Sequence, residues 1–109
     1  MTWNVQYAEG FIRDLQEISA YIAEVLQEPQ TAKKQTERIF DAADSLDFMP
    51  ERHPIHTQGR KPTLPIRSFP INNYMIFYQS DEVKSLVKVL RVIYGARDIP
   101  VQLEETEES

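Results

Sequence analysis

Apolar residues recur at two different spacings along this chain. From Thr2 to Tyr7 they alternate, with Trp3, Val5 and Tyr7 set against polar neighbours, the pattern of a half-buried β-strand. From Ala8 the spacing lengthens. Phe11, Leu15, Ile18, Ile22 and Leu26, flanked by Ile12 and Val25, form one stripe of an amphipathic helix. Pro29 interrupts that stripe and suits the first turn of a second helix. This helix carries Ala32, Ile39, Phe40, Ala43 and Leu46 inward and stops before Pro50. So short a link predicts an antiparallel helix hairpin.

Residues 50–65, PERHPIHTQGRKPTLP, hold four prolines and a glycine without any period, and read as a loop. Three strand patterns follow, at 64–71 (LPIRSFPI), 74–79 (YMIFYQ) and 86–94 (LVKVLRVIY). Asn72-Asn73 suits a tight hairpin between the first two, because asparagine tolerates positive φ. Ser80–Lys84 makes a looser turn. Pro65 and Pro70 mark the first of these strands as an edge or irregular one. The third, apolar on both faces, reads as central. The predicted fold is α+β, in the order β-α-α-β-β-β, with the helix hairpin packed on one face of a small, mostly antiparallel sheet. Residues 1–103 make one domain, and 104–109, an acidic run with nothing to bury, form a disordered tail.

Charge sharpens this picture. The net of −5 conceals a polarised chain. Residues 1–51 carry 4 basic and 10 acidic side chains, whereas residues 52–97 carry 8 basic and 2 acidic ones. The C-terminal half is therefore suited to an acidic partner. The acids of the first half are expected on solvated outer helix faces. With no cysteine, disulfides and thiolate metal sites are excluded, in keeping with a reducing, cytoplasmic setting. No apolar run approaches the roughly 20 residues needed to span a membrane. The N-terminus lacks the basic and apolar regions of a signal peptide.

The candidate chemistry is narrow. His53 and His56 are three apart, but no cysteine or carboxylate pair completes a zinc site, so exposed loop histidines are expected and neither metal nor cofactor is assigned. There is no glycine-rich phosphate loop and no nucleophile elbow. What remains is a group of arginines and tyrosines on the sheet half: Arg67, Tyr74, Tyr78, Arg91, Tyr94 and Arg97. Such residues bind phosphate and stack bases, and they also anchor protein interfaces. Tyr74 and Tyr78 are explained as sheet formers. Arg97 follows Gly95 beyond the last strand, where a structural explanation is weaker. Asp98 suits an N-cap before Pro100.

Taken together, W-x-V-x-Y, DLQEISAYI, the proline-started second helix, RSFPINNYMIFY and VLRVIYGARD resemble the RelE/ParE superfamily of toxins from bacterial type II toxin–antitoxin systems, over nearly the whole chain. The last two motifs are the specific ones. The resemblance implies the β-α-α-β-β-β fold already read from the pattern. It also implies growth inhibition by one of two routes. RelE-like members cleave mRNA in the ribosomal A site with basic residues of the sheet and a C-terminal aromatic group. ParE-like members, linked to plasmid stabilisation, poison DNA gyrase with no known catalytic step. Here Met75 stands where RelE-like toxins carry a strand arginine, and residues 99–109 contain no aromatic residue or histidine. Of the paired lysines expected on the preceding strand only Arg67 remains. The transition-state charge of RNA cleavage would lack most of its stabilisers, and an acidic protein is poorly suited to direct nucleic-acid binding. The resemblance therefore favours the ParE branch: a non-enzymatic gyrase inhibitor held inactive by a ParD-like, ribbon-helix-helix antitoxin. Arg60, Lys61, Arg67, Arg91, Tyr94 and Arg97 are the expected contacts to antitoxin or target.

Overall fold

Strand period followed by helix period at the N-terminus becomes β1 (Asn4–Tyr7) and α1 (Glu9–Ala20) in the computed structural model, which describes residues 2–56 and 65–95. A π-helical turn at Tyr21–Val25 extends α1, and α2 (Pro29–Asp44) opens on the proline that the sequence placed there. The hairpin link is made by Gln27 in the left-handed region, φ 59°, before the proline is reached. α2 gives way to 3-10 turns at Ser45–Asp47 and Pro50–Arg52. Then come β2 (Ile55–His56), β3 (Ile66–Ile71), β4 (Tyr74–Asp81) and β5 (Leu86–Tyr94).

The sheet runs β1-β5-β4-β3-β2, with β1 parallel to β5 and every other pair antiparallel. Three expectations need correction here. The segment after Pro50 is not all loop. Ile55 and His56 pair with Arg67 and Ile66, too short a strand to show any period. β3 is therefore next to the edge, although β2 covers only its first two residues. Pro70, paired across to Met75, lies beyond that cover. There a missing N–H costs the sheet nothing, because the hairpin register turns it away from β4. β4 reaches Asp81, two residues past its expected end. The Asp81 carboxylate then accepts hydrogen bonds from the Val83 and Lys84 amides and shapes the following turn.

Strand alternation divides the sheet's side chains between two clusters. Phe69, Ile76, Tyr78, Val87, Val89 and Val92 pack with Phe11, Ile39, Ala43 and Leu46 of the helical layer. Ile66, Phe77, Leu90 and Ile93 form a second cluster on the opposite face. Each fully buried aliphatic or aromatic side chain of this kind contributes roughly 1.5–3 kcal/mol. Phe40, expected in the core, is instead 40% exposed and stacks on Tyr7 with ring centroids 4.9 Å apart.

One junction holds the two layers in register. β1 pairs with only the first half of β5, ending at Tyr7 opposite Val89, and α1 begins immediately afterwards. The edge of β5 beyond Val89 then needs other partners. Asp14 of α1 supplies one: its Oδ2 accepts the Val92 backbone N–H at 3.1 Å. The same carboxylate grips Arg91 in a two-pronged ion pair, Nε to Oδ2 at 2.7 Å and Nη2 to Oδ1 at 2.9 Å. A bulge opposite Phe77 and Tyr78 skips Leu90 in the register and re-aims Arg91. Gly10 lets α1 come this close: a Cβ there would lie 2.9 Å from Arg91 Cδ and 3.2 Å from the Leu90 carbonyl oxygen. Asp14 is thus the exception to the expectation that the helix acids are solvated.

Removing one half of a buried pair strands the other charge, so Asp14→Ala should lower unfolding free energy by about 3 kcal/mol. Chemical denaturation measures this. A loss below about 1 kcal/mol, the scale of an exposed pair, would show that Asp14 does not fasten the layers.

Candidate functional site

Two features built on this frame bring chemistry-bearing residues together. The first is a groove of about 640 Å³ where the helix hairpin meets the far ends of β4 and β5. Its floor and walls include Asp14, Glu17, Tyr21, Gln35, Tyr74 and Tyr94. Tyr74 and Tyr94 are cross-strand partners, and their rings meet edge to face at 5.8 Å. Burial, with Tyr94 and then Tyr21 beside it, pushes the Tyr74 hydroxyl above its ordinary pKa. The Asn72-Asn73 turn closes one end. Asn72 takes the expected positive φ, 54°, and donates from Nδ2 to Gln35 Oε1 at 3.1 Å.

The second feature surrounds the segment after α2. Tyr78 is fully buried and donates its hydroxyl proton to the Pro50 carbonyl. Burial pushes its pKa up to about 12, against the lowering pull of Arg67 and Arg52. Arg67 Nη1 donates to the His53 and Glu51 carbonyl oxygens at 2.8 and 3.2 Å, and its Nη2 lies 3.8 Å from the Glu51 carboxylate. Arg52 folds back on the Phe48 and Met49 carbonyls. His53 is not the exposed loop residue expected. Its ring stacks on Phe69 at 4.3 Å, Nε2 is buried without a partner, and burial followed by the Arg52 charge lowers its pKa. Among the described residues no group of three or more histidine and acidic side chains is arranged to hold a metal. None of their helices is long and apolar enough to cross a membrane.

The expected contact residues are scattered across these features. Tyr94 stands at the groove's rim, 46% exposed. Arg91 is bound to Asp14, and Arg67 to the Glu51–His53 backbone. Arg60, Lys61 and Arg97 lie outside the described residues, as do Asp98 and the acidic terminal run. Sequence reasoning passed over Asp14, although a signal was present: three residues after Phe11, it falls on the apolar stripe, where an acid needs a partner. Tyr74 was set aside as a sheet former, yet it lines the groove. Nothing local in the sequence points Tyr78 at Pro50.

An α-helical hairpin on this mixed sheet is the RelE/ParE toxin fold. The model of the ParE toxin of type II toxin–antitoxin systems (parDE) matches residues 5–99, and the chain belongs to that family. Solved structures that share the fold include three toxin–antitoxin systems. The chromosomal ParDE system of P. aeruginosa superimposes with a TM-score of 0.66 at 17% identity, over 85% of this chain and 96% of that one. The archaeal RelE-RelB complex from Pyrococcus horikoshii OT3 gives 0.60 at 17% identity, over 89% and 99%. The RelBE2 toxin–antitoxin complex of Mycobacterium tuberculosis gives 0.57 at 19% identity, over 86% and 99%. No curated protein matches the sequence.

An acid whose folded pKa is raised binds its proton more tightly folded than unfolded, so stability falls as pH rises past the unfolded value. For Tyr78 the loss begins near 10, the ordinary tyrosine value, and continues to about 12. Tyr7 and Tyr74, also raised, add to it. In denaturation curves from pH 8 to 12, Tyr78→Phe should make this alkaline decline shallower. At neutral pH it should cost about 1–2 kcal/mol by leaving the Pro50 carbonyl unpaired. An unchanged alkaline slope would contradict the assignment.

Proposed function

We propose that this ParE-family toxin acts in the cytoplasm by binding and inhibiting DNA gyrase, without catalysing a reaction of its own, and that a cognate ParD-like, ribbon-helix-helix antitoxin neutralises it. The observation that carries the reading is the state of the sheet's arginines. RNA cleavage needs cations aimed at the developing phosphorane charge. Among the described residues the two sheet arginines point elsewhere. Arg91 is bound to the Asp14 carboxylate, and Arg67 is spread over the Glu51 and His53 carbonyls. Met75, in the place of the RelE-like strand arginine, packs against the apolar cluster of Ile66, Phe77, Leu90 and Ile93.

The neighbouring folds support a protein partner, since the P. aeruginosa, P. horikoshii and M. tuberculosis structures are all toxin–antitoxin systems. Arg60, Lys61 and Arg97 remain proposed contacts to antitoxin or target, together with exposed Tyr94. Arg67 and Arg91 would take part through the segments they position.

The decisive comparison puts purified toxin into two reactions, gyrase-catalysed supercoiling and reconstituted translation on a defined mRNA. Inhibited supercoiling with intact mRNA is expected, relieved by the co-purified antitoxin. Codon-positioned cleavage without an effect on supercoiling would replace this reading with the RelE-like one.

A further inference from the structure

α1 presents Asp14, Glu17, Ile18, Tyr21 and Ile22 to the groove, the i, i+3, i+4, i+7, i+8 spacing of a single helix face. That face is unusually polar and aromatic for one turned toward a sheet. Asp14 is committed to Arg91 and to the Val92 amide. Glu17, one turn on, is exposed and has no ion-pair partner among the described residues. Beyond it the helix widens into the π-turn at Tyr21–Val25, a distortion frequent at functional sites. The rim there is exposed and apolar: Tyr21 is 55% exposed, Leu26 47% and Tyr94 46%. On the opposite wall the Gln35 amide is fixed through Oε1 by Asn72, which leaves Nε2 buried without an acceptor. A groove with tyrosine rings, an unpaired carboxylate and an exposed leucine at its rim lacks a cation and an apolar flank.

We infer that this groove binds an arginine or lysine side chain carried on an apolar segment of a partner protein. Glu17 and the rings of Tyr21, Tyr74 and Tyr94 hold the cation, and Leu26 takes the apolar flank. Tyrosine faces attract cations through their quadrupole, and a carboxylate beside them adds charge complementarity. Charge also selects the occupant. The chain's own last twelve residues hold five acids and no base, and Glu17 would repel them. The inference does not depend on whether the toxin's target is gyrase or the ribosome.

The test uses the intact toxin and two blocked dipeptides, N-acetyl-Phe-Arg-amide and N-acetyl-Phe-Glu-amide, titrated while backbone amide shifts are followed by NMR. The arginine peptide should bind roughly tenfold more tightly than the glutamate peptide, with shifts centred on Tyr21, Leu26, Gln35 and Tyr94. Glu17→Gln and Tyr94→Leu, both at exposed positions, should each reduce that preference several-fold while leaving the rest of the spectrum unchanged. Equal affinity for the two peptides, shifts centred elsewhere, or no binding of the arginine peptide at roughly 10 mM would overturn the proposal.

Discussion

The Asp14 carboxylate is the point on which the arrangement of the two layers turns. β1 is too short to accompany β5 along its length, so the sheet exposes backbone donors where α1 begins. One side chain both satisfies a strand amide and neutralises the arginine beside it. A buried ion pair of this kind adds little net stability over a well-packed apolar pair. What it adds is position. A leucine at residue 14 would tolerate small slides of α1 along β5, whereas a carboxylate bonded to both Nε and Nη2 of Arg91 and to the Val92 amide fixes the helix in height and rotation. The bulge that skips Leu90 and the missing side chain at Gly10 are the local adjustments that make this seat possible.

Fixing α1 also fixes the groove, because Glu17 and Tyr21 follow Asp14 on the same helix face. The opposite end of the sheet is organised by the same economy. Tyr78 and Arg67 from the sheet, and Arg52 from the segment itself, donate to backbone carbonyls between Phe48 and His53. The segment after α2 forms only short 3-10 turns, so side chains satisfy several of its remaining carbonyls. The arginines of the described sheet are thereby structural cations.

Much of this architecture was legible because periodicity is a local property. The two helices, the tight Asn72-Asn73 hairpin and the doubly apolar β5 follow from local pattern, although β4 rather than β5 is the middle strand. β2 was not legible, since two residues cannot display a period. Nor was the parallel pairing of β1 with β5, for which the strands carry no local marker. The site was harder to read. Arg67 and Arg91 stood out as basic residues near strands, but their roles depend on carbonyl and carboxylate partners 14 and 77 residues away. Tyr74 and Tyr94 acquire a joint role only through cross-strand register. Asp14 was the recoverable omission, because an acid on an apolar stripe is a local signal of a distant partner.

The pairing of β1 with β5 has a consequence for how the chain is made. Asn4 finds its sheet partner in Leu86, and Asp14 finds its counter-ion in Arg91. Synthesis runs from the N-terminus, so β1 and α1 wait for β5 before either can settle. Contacts of such long sequence separation slow folding, because loop closure must precede the energy it releases. Until β5 emerges from the ribosome, the helix hairpin has an apolar face and an uncompensated carboxylate but no sheet on which to rest. The groove and its tyrosines therefore come together in one late step, when β5 joins the sheet.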